Sequence, residues 1–590
     1  MSAFFTPKAP RAVMKLTTLL TVFACALLSS AGLPTKTVKR TDQSQFVSTQ
    51  GGKFFVNGSE FNFIGTNAYW LASLNSEQDI IDTLANISRA GITVVRTWAF
   101  NDVTEIPENG TWFQLISNGT TAINNGTNGL QKLDMVIDHA ERFGIYILLS
   151  LTNNWAPAAT DNLTNSIGKE HLHPPVQSRA TAVEAFNSSR PRNFLSNDYG
   201  GMDVYVRQFG FKNHNDFYTN ETLINTFKNY TDQIVTRYID RPGVLAWEVA
   251  NDPRCNSTVA ASPDCNTQNI TSWHATISTH IKMRDPNHLI SSGSQGFLCM
   301  DCPKMFATPT PAPAPAPPTQ PSHRAAAVRR AIPKPLTRDR IIQERNERWK
   351  KTRALLPKSE RGQGSGIRIR GRWLSTPTKR QDDIQDAGSA FDGSQGVDSQ
   401  DILGFPNISF GSFQLFPDQN SYGMDDPSLS AFENTLQIGL DWIKIHAGIA
   451  TTFNKPVALI GFGLVTQDNA PFFVPFNTTI APFAADSSSS STTNSNSTQS
   501  FGVTDAQQGT AYTSWLNAGI SAGVSGIMSY QWSQGNLTAQ AGTEISPTDD
   551  TTGQSSSDNV TGQSPNDGYA TQGVGEAAVQ GAAQIVDNST

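Results

Sequence analysis

Short apolar runs of four to six residues alternate with longer segments of helical apolar spacing along most of this chain. Runs of this length between turn residues are typical of buried strands, and their alternation with helices is typical of a parallel α/β fold. Eight such units predict a (β/α)8 TIM barrel, in which active sites lie where the strands end. The predicted strands are 61–65, 92–96, 145–149, 244–247, 288–291, 408–413, 456–460 and 526–530.

The segments between these strands carry one apolar face each. In the first of them Ile80, Leu84 and Ile87 lie on one side of a helix, which we expect to end at Gly91. The other predicted elements are helices over 130–143, 213–239, 436–449 and 574–585, and a turn-linked pair of strands, 46–48 and 54–56, that caps the bottom of the barrel.

Segments of biased composition interrupt the alternation. They are polar, Pro/Ala-rich and then basic, or Ser/Thr/Asn-rich, so they lack the apolar residues needed to form a core of their own. We therefore expect one large domain over 41–590 with decorations rather than several domains. The insertions are 156–196, 304–392 and 485–500, with a further polar segment at 536–568.

The first residues predict a secreted protein. Lys15 precedes an apolar run that ends in small residues at Ser29, Ser30 and Ala31, which is typical of a signal peptide over 1–31. A retained membrane anchor is the alternative, although the run is short for one. The dibasic pair at 39–40 would end a propeptide over 32–40, and roughly seventeen Asn-x-Ser/Thr sequons indicate a glycoprotein.

Four cysteines remain beyond the predicted signal peptide. An even number in an oxidising compartment favours two disulfides, most simply Cys255 with Cys265 and Cys299 with Cys302. A zinc site is the alternative, but the compartment and the loose spacing disfavour it. We expect no metal and no organic cofactor.

The formal charge of −6 conceals a strong segregation of charge. Residues 304–380 contain 19 Lys and Arg against 4 Asp and Glu, which leaves 25 basic and 46 acidic residues elsewhere. This basic stretch has no recognisable nucleic-acid-binding motif, so we expect no nucleic-acid partner. A second dibasic pair at 379–380 could allow the insertion to be cut during secretion.

The most informative polar groups follow the fourth strand. Residues 247–254 read Trp-Glu-Val-Ala-Asn-Asp-Pro-Arg, so a buried strand delivers Asn251 and Asp252 to one end of the barrel. Arg96 similarly ends the second strand, which favours a place in the cleft. The alternative for Arg96 is a surface salt bridge. These strand ends predict a cleft with carboxylate, amide and guanidinium groups.

The chain resembles the fungal endo-β-1,4-mannanases of glycoside hydrolase family 5. The resemblance rests on the 247–254 motif together with Arg-Thr-Trp-Ala-Phe-Asn-Asp at 96–102, Asn-Asn-Trp at 153–155 and Lys-Pro-Val at 455–457. It implies a retaining glycosidase site, in which two carboxyl groups about 5–5.5 Å apart act as acid/base and nucleophile. The implied ligand is a β-mannan or related β-glycan.

Both catalytic positions depart from the family pattern. The resemblance places the acid/base at Asp252, where the family has a glutamate with a side chain longer by one methylene group. It places the nucleophile at Gly461, which has no side chain, and Asp468 is too far along the loop to replace it. Arg96 corresponds to the arginine that orients the nucleophile, and Asn251 to the asparagine that binds the sugar 2-hydroxyl.

Other positions around the implied sugar subsite have also changed. Gln414 and Phe416 stand where the family has the histidine and tyrosine that support the nucleophile, and Tyr530 stands where it has a tryptophan platform. Trp98, Trp155 and Trp532 are further candidates for stacking on sugars, as are Tyr69 and Trp70. The alternative is that these aromatic side chains simply fill the mouth of the barrel.

Three functions remain open from the sequence. The loss of matched catalytic groups favours a secreted, monomeric, carbohydrate-binding pseudoenzyme. An active endo-β-mannanase with an unrecognised nucleophile is the second hypothesis, and substrate-assisted hydrolysis would need a suitable sugar substituent. A wall or matrix protein anchored by its basic insertion is the third.

Overall fold

Eight parallel strands form the centre of the computed structural model. They pair in chain order from β1 to β5, and β1 also pairs with β8, β8 with β7 and β7 with β6. An isolated parallel bridge between Ser291 and Phe410 joins the two edges, so the sheet closes into the predicted barrel. The strands are β1 Phe63–Asn67, β2 Val94–Trp98, β3 Tyr146–Ser150, β4 Val244–Glu248, β5 Leu289–Ser291, β6 Gly411–Leu415, β7 Val457–Phe462 and β8 Gly526–Ser529.

The structure describes only part of the chain. These residues are 45–157, 192–306, short stretches between 340 and 374, 388–473 apart from 424, 427 and 428, 502–538 and 562–588. They belong to the compact unit formed by residues 43–590. The predicted signal peptide and propeptide, both dibasic pairs and the insertion 485–500 lie outside the described residues.

Helices surround the barrel, and three short hairpin-like sheets decorate it. The helices are α1 Glu77–Arg89, α2 Leu130–Arg142, α3 Met202–Gln208, α4 Asp216–Thr219, α5 Glu221–Tyr238, α6 Thr267–Arg284, α7 Ser399–Gly404, α8 Ala431–Phe453, α9 Asp505–Ala522 and α10 Gly573–Asp587. The additional strands are Ser48–Gln50, Lys53–Val56, Ser59–Glu60, Asp102–Val103, Gln114–Ser117, Thr120–Ile123, Ile367–Ile369 and Arg372–Leu374.

Local capping explains where several helices begin and end. The Ser76 side chain accepts a hydrogen bond from the Asp79 N–H at the start of α1, and Ser430 forms a reciprocal capping box with Glu433 at the start of α8. The single helix predicted over 213–239 is two helices, because Asn220 is extended and caps α5.

The bottom of the barrel is closed as predicted. Phe54, from the turn-linked pair of strands, is fully buried and packs against Phe63 of β1 and Phe410 before β6, with ring centroids 5.9 and 5.1 Å apart. The interior above it is filled by apolar side chains from nearly all of the eight strands, so the barrel is a packed core rather than a channel.

The predicted insertions reach further into the fold than their composition indicates. Phe194 and Leu195, at the end of the insertion 156–196, are buried, and so is Asp567, at the end of the polar segment 536–568. Phe391 is buried as well, within the insertion 304–392. The expectation that these segments only decorate the surface is therefore wrong at their ends, because tertiary contacts bury residues that have no apolar periodicity.

No helix among the described residues is both long enough and apolar enough to cross a membrane.

Candidate functional site

An ion pair occupies the centre of the strand ends. Arg96 is 2% exposed and Glu248, at the end of β4, is fully buried. The Arg96 Nε donates to both carboxylate oxygens of Glu248 at 3.1 and 3.0 Å, and its Nη2 lies 2.5 Å from Oε1. The alternative of a surface salt bridge for Arg96 is therefore wrong: this pair lies inside the barrel.

The remaining donors of Arg96 are also used within the protein. Its Nη1 donates to the Asn67 Oδ1 at 3.0 Å, and its Nη2 donates to the Asn251 Oδ1 at 2.8 Å. The same Asn251 oxygen accepts from the Gln414 Nε2 at 3.2 Å, while the Asn251 Nδ2 donates to the Asn153 Oδ1 at 2.8 Å. The amide of Asn251 is thus held in one orientation, with one N–H left over.

Asp252 is held by a second ion pair. Its Oδ1 accepts from the Arg254 Nε at 2.9 Å, and its Oδ2 accepts from the Arg254 Nη2 at 2.5 Å and from the Trp155 indole N–H at 3.0 Å. Both residues of the ion pair are buried, and the Arg254 guanidinium lies over the Trp155 ring, 5.4 Å from its centroid. Among the described residues, each hydrogen bond to the Asp252 carboxyl is donated by an N–H group, so both of its oxygens act as acceptors.

The backbone around this pair is constrained. Asp252 has a left-handed backbone with φ of 54°, and its N–H donates to the Gly293 carbonyl at 2.9 Å. Cys255 follows in a disulfide with Cys265, and a second disulfide joins Cys299 and Cys302, which are the two pairings that the sequence favoured.

Position 461 has no carboxylate and little free space. A Cβ atom on Gly461 would lie 3.2 Å from Cζ of Phe416 and 3.8 Å from the Asn67 Nδ2. That Asn67 nitrogen already donates to the Ile460 and Ser529 carbonyls at 2.9 and 3.0 Å. A Cβ atom at position 461 would therefore press against the Phe416 ring. Asp468 is exposed and does not line the cleft.

Aromatic and amide side chains from several loops enclose a cleft at these strand ends. It holds about 560 Å³ of space, including the part open to solvent. Seven of the residues predicted from the sequence meet there: Arg96, Trp98, Trp155, Asn251, Asp252, Gln414 and Phe416. Tyr530 is the eighth, and the others are Ser196, Asn197, Gln295, Gln419 and Asp567.

Two segments cover the aromatic floor of the cleft. The Trp98 indole N–H donates to the Ser196 carbonyl at 3.0 Å, and the Ser196 hydroxyl donates to Asp567 at 2.9 Å. The Tyr530 hydroxyl donates to the same Asp567 oxygen at 2.8 Å. The end of the insertion 156–196 and the end of the polar segment 536–568 thus meet beside Trp98 and Tyr530. Both rings are mostly buried.

Three predicted stacking residues lie outside this cleft. Tyr69 and Trp70 are 1% and 0% exposed, so neither presents a face to a ligand, because the packing around them is complete. Trp532 lines two other depressions, beside α1 and α10. For Tyr69 and Trp70 the alternative of filling the barrel mouth is correct.

Sequence reasoning missed several residues of the site. Glu248 was visible as a carboxylate directly after Trp247 in an apolar strand, which signals a buried ion pair. Asp567 and Gln295 lie in segments without any local motif, so nothing in the sequence pointed to them. Among the described residues, no group of three or more His, Cys, Asp or Glu side chains is arranged to hold a metal ion.

The barrel and its site define the class of protein. Residues 44–309 match the family model described as "GH family 5 beta-mannosidase-like". The eight-stranded closed barrel, with its polar groups at the strand ends, is the TIM barrel fold. Residues 44–309 are therefore similar to this family, and the fold of the described residues is that of a TIM barrel.

Particular relatives come from filamentous fungi. Over 259 residues the chain is 36% identical to the mannan endo-1,4-beta-mannosidase F of Aspergillus fumigatus, a match that covers 43% of this chain and 48% of that protein. It is 32% identical over 285 residues to the mannan endo-1,4-beta-mannosidase A of Aspergillus aculeatus, covering 48% of this chain and 63% of that protein. The matched region thus spans about half to just under two thirds of these relatives.

Solved structures share the fold. The endo-1,4-beta-mannanase of Rhizomucor miehei superposes with a TM-score of 0.54 at 21% identity, covering 92% of this chain and 100% of that chain. A hyperthermostable endo-1,4-beta-D-mannanase of Thermotoga petrophila gives 0.51 at 20% identity, covering 89% and 100%.

Proposed function

We propose that this protein is a secreted, mannanase-like pseudoenzyme that binds a neutral β-glycan, such as β-mannan, without cleaving it. The observation that carries the proposal is the surroundings of Gly461. A retaining mechanism needs a nucleophilic carboxylate there. The position has no side chain, and the Phe416 ring lies 3.2 Å from the place that a Cβ atom would take.

The acid/base position supports the same proposal. A general acid must carry a proton and reach the leaving-group oxygen. Both oxygens of Asp252 instead accept hydrogen bonds from Arg254, and one of them also accepts from Trp155, so these bonds fix the orientation of the carboxyl group. Misplacing a catalytic group by about 1 Å can cost on the order of a hundredfold in rate.

The cleft has the chemistry of a site for a neutral polyol. Arg96 and Asp252 each have a buried partner of opposite charge, so their charges are compensated within the protein. The amides of Asn251, Gln414 and Gln419 supply donors and acceptors that suit sugar hydroxyl groups. The names of the fungal relatives, which specify mannan, support β-mannan as the first ligand to test.

Calorimetry with manno- and cello-oligosaccharides tests binding. Gln419 lines the cleft, and its amide is oriented because it donates to the Tyr569 hydroxyl at 2.9 Å. Gln419→Ala should remove one hydrogen bond to the sugar and weaken binding by about 3- to 10-fold. Gln437→Ala, on the outside of α8 where Gln437 bonds Asp441, is the matched control and should change nothing. Absence of binding to either sugar series at millimolar concentration would refute a sugar-binding role.

Turnover of galactomannan tests the hydrolytic alternative. We expect no release of reducing sugar by the purified protein. Release that is abolished in Asp567→Asn, or in Asp252→Ala under conditions where circular dichroism shows that this variant is folded, would instead identify a working enzyme with an unrecognised carboxylate. Among the described residues, these are the two carboxylates that line the cleft. Hydrolysis gained on combining Asp252→Glu, Gly461→Glu, Gln414→His and Phe416→Tyr would show that the cleft still accepts substrate.

A further inference from the structure

A second depression lies on the outer surface of the barrel, between the end of α1 and the loop after β8. It holds about 770 Å³, including the part open to solvent. Two of its lining residues, Asn86 and Asn536, begin the sequons Asn-Ile-Ser and Asn-Leu-Thr. Trp532 also lines this depression. The two asparagines face the same space, but their surroundings differ.

Asn86 is a poor acceptor for a sugar. It lies within α1, is half-buried, and its Nδ2 donates to the Gln534 Oε1 at 3.1 Å. An N-linked sugar on this nitrogen would crowd Gln534, whose Oε1 lies 3.1 Å from it, and so oppose the hydrogen bond. Glycosylation of Asn86 would therefore disfavour the folded arrangement of this side chain.

Asn536 has the opposite surroundings. Its side chain is exposed, makes no hydrogen bond within the described part of the chain, and sits on a left-handed backbone with φ of 60°. The third residue of its sequon is anchored, because both the N–H and the hydroxyl of Thr538 donate to the Asp79 Oδ1 at 3.1 Å. This turn holds Asn536 outward at the rim of the depression.

We propose that Asn536 carries an N-linked oligosaccharide, that Asn86 does not, and that the first sugars of the glycan cover this depression. The transfer forms a bond from the Asn536 Nδ2 to the anomeric carbon of N-acetylglucosamine. It breaks the bond from that carbon to the pyrophosphate of a lipid-linked donor, and the amide proton leaves with the pyrophosphate. The lining then offers an aromatic side chain at Trp532 and polar groups at Glu576 and Gln580, which suit acetamido and hydroxyl groups.

Peptide mapping of the full chain, secreted from a eukaryotic host, tests the site. After treatment with peptide N-glycosidase, the Asn536 peptide should contain Asp, whereas the Asn86 peptide should be unmodified Asn before and after treatment. Asn536→Gly should remove one glycan and remain folded, because glycine accepts a positive φ. An unoccupied Asn536, or an occupied Asn86, would overturn the assignment.

Hydrogen exchange tests whether the glycan covers the depression. Enzymatic deglycosylation should raise exchange of the amides at 86–90 and 532–536 several-fold, and the same treatment of Asn536→Gly should raise neither. Exposed Asn229 on α5 begins another sequon, and Asn229→Gln is the matched control that should leave both segments unchanged. Equal exchange before and after deglycosylation would overturn the covering of the depression.

Discussion

At the scale of residues, the mouth of this barrel is held together by pairs of polar groups that satisfy one another. Arg96 bonds Glu248, and Arg254 bonds Asp252, each with both partners buried. Buried ion pairs of this kind are costly to break on one side, because the remaining charge has no solvent to stabilise it. These two buried ion pairs therefore contribute to the stability of the fold at the strand ends.

Removing the Asp252 carboxylate should destabilise the fold. Asp252→Ala leaves the Arg254 guanidinium, which is 2% exposed, without its partner, and we expect the free energy of unfolding to fall by about 3–5 kcal/mol. Urea denaturation measures this change. Asp252→Ala combined with Arg254→Met should recover part of the loss, and a single variant as stable as the parent protein would contradict the role of the pair.

A glutamate at position 461 should also destabilise the fold unless space is made for it. Its Cβ would lie 3.2 Å from the Phe416 ring, so we expect Gly461→Glu to cost about 1–3 kcal/mol through overpacking. Differential scanning calorimetry should show a lower Tm. Gly461→Glu should cost less stability when introduced into Phe416→Ala than when introduced into the parent protein. An equal cost in both backgrounds would mean that the Phe416 ring does not crowd a side chain at position 461.

At the scale of elements, the loops after β6 and β7 are joined by a buried carboxyl group. The Asp418 Oδ2 accepts from the Val465 N–H at 3.0 Å, and Asp418 is fully buried. Burial raises the pKa of this carboxyl to about 7, although the hydrogen bond from Val465 opposes the shift. We therefore expect the stability of this contact to depend on pH.

Stability should decline through the range in which Asp418 ionises. The pKa of Asp418 is raised in the folded state, so the folded protein binds this proton more tightly than the unfolded chain does. The resulting contribution to the free energy of unfolding is fully present below about pH 4 and is lost as the pH rises to about 7. Urea midpoints of Asp418→Asn should depend less on pH in this window than those of the parent. Exposed Asp82→Asn is the control, and parallel curves for parent and Asp418→Asn would refute this role.

At the scale of the whole molecule, the barrel accommodates a long insertion because backbone hydrogen bonds join the two chain segments where the insertion begins and ends. Cys299 forms an antiparallel bridge with Asp392, and the Met300 N–H donates to the Phe391 carbonyl at 3.1 Å. These contacts bring together the two ends of the basic insertion. From within it, Arg348 reaches Asp441 on α8 at 2.5 Å, in a partly exposed ion pair.

Deleting most of the basic insertion should leave the barrel folded. Replacing residues 309–386 with a flexible linker of about ten residues removes the Arg348–Asp441 pair, which as a partly exposed contact is worth about 0–1 kcal/mol. We expect cooperative unfolding with a Tm within a few degrees of the parent, measured by circular dichroism. Loss of the cooperative transition would instead assign the insertion to the core of the fold.

The sequence by itself determined the strands and the groups at the strand ends. It also predicted six of the ten described helices, but not α3, α6, α7 or α9. Each of the eight predicted strands overlaps an observed one, because apolar runs and turn residues act locally. The same reasoning placed Arg96, Asn251 and Asp252 in one cleft, since parallel strands end at one face of a barrel. The absence of a carboxylate at Gly461 was likewise visible in the sequence alone.

Only the tertiary structure decided which groups bond one another at that face. Asn67 reaches the carbonyl of Ile460, 393 positions away, and Ser196 reaches Asp567, 371 positions away. Such pairings depend on closure of the barrel and on the packing of loops without local periodicity. The physical reason is that spacing along a chain specifies which face of an element is buried, whereas the partner of a buried polar group is set by what folding brings beside it.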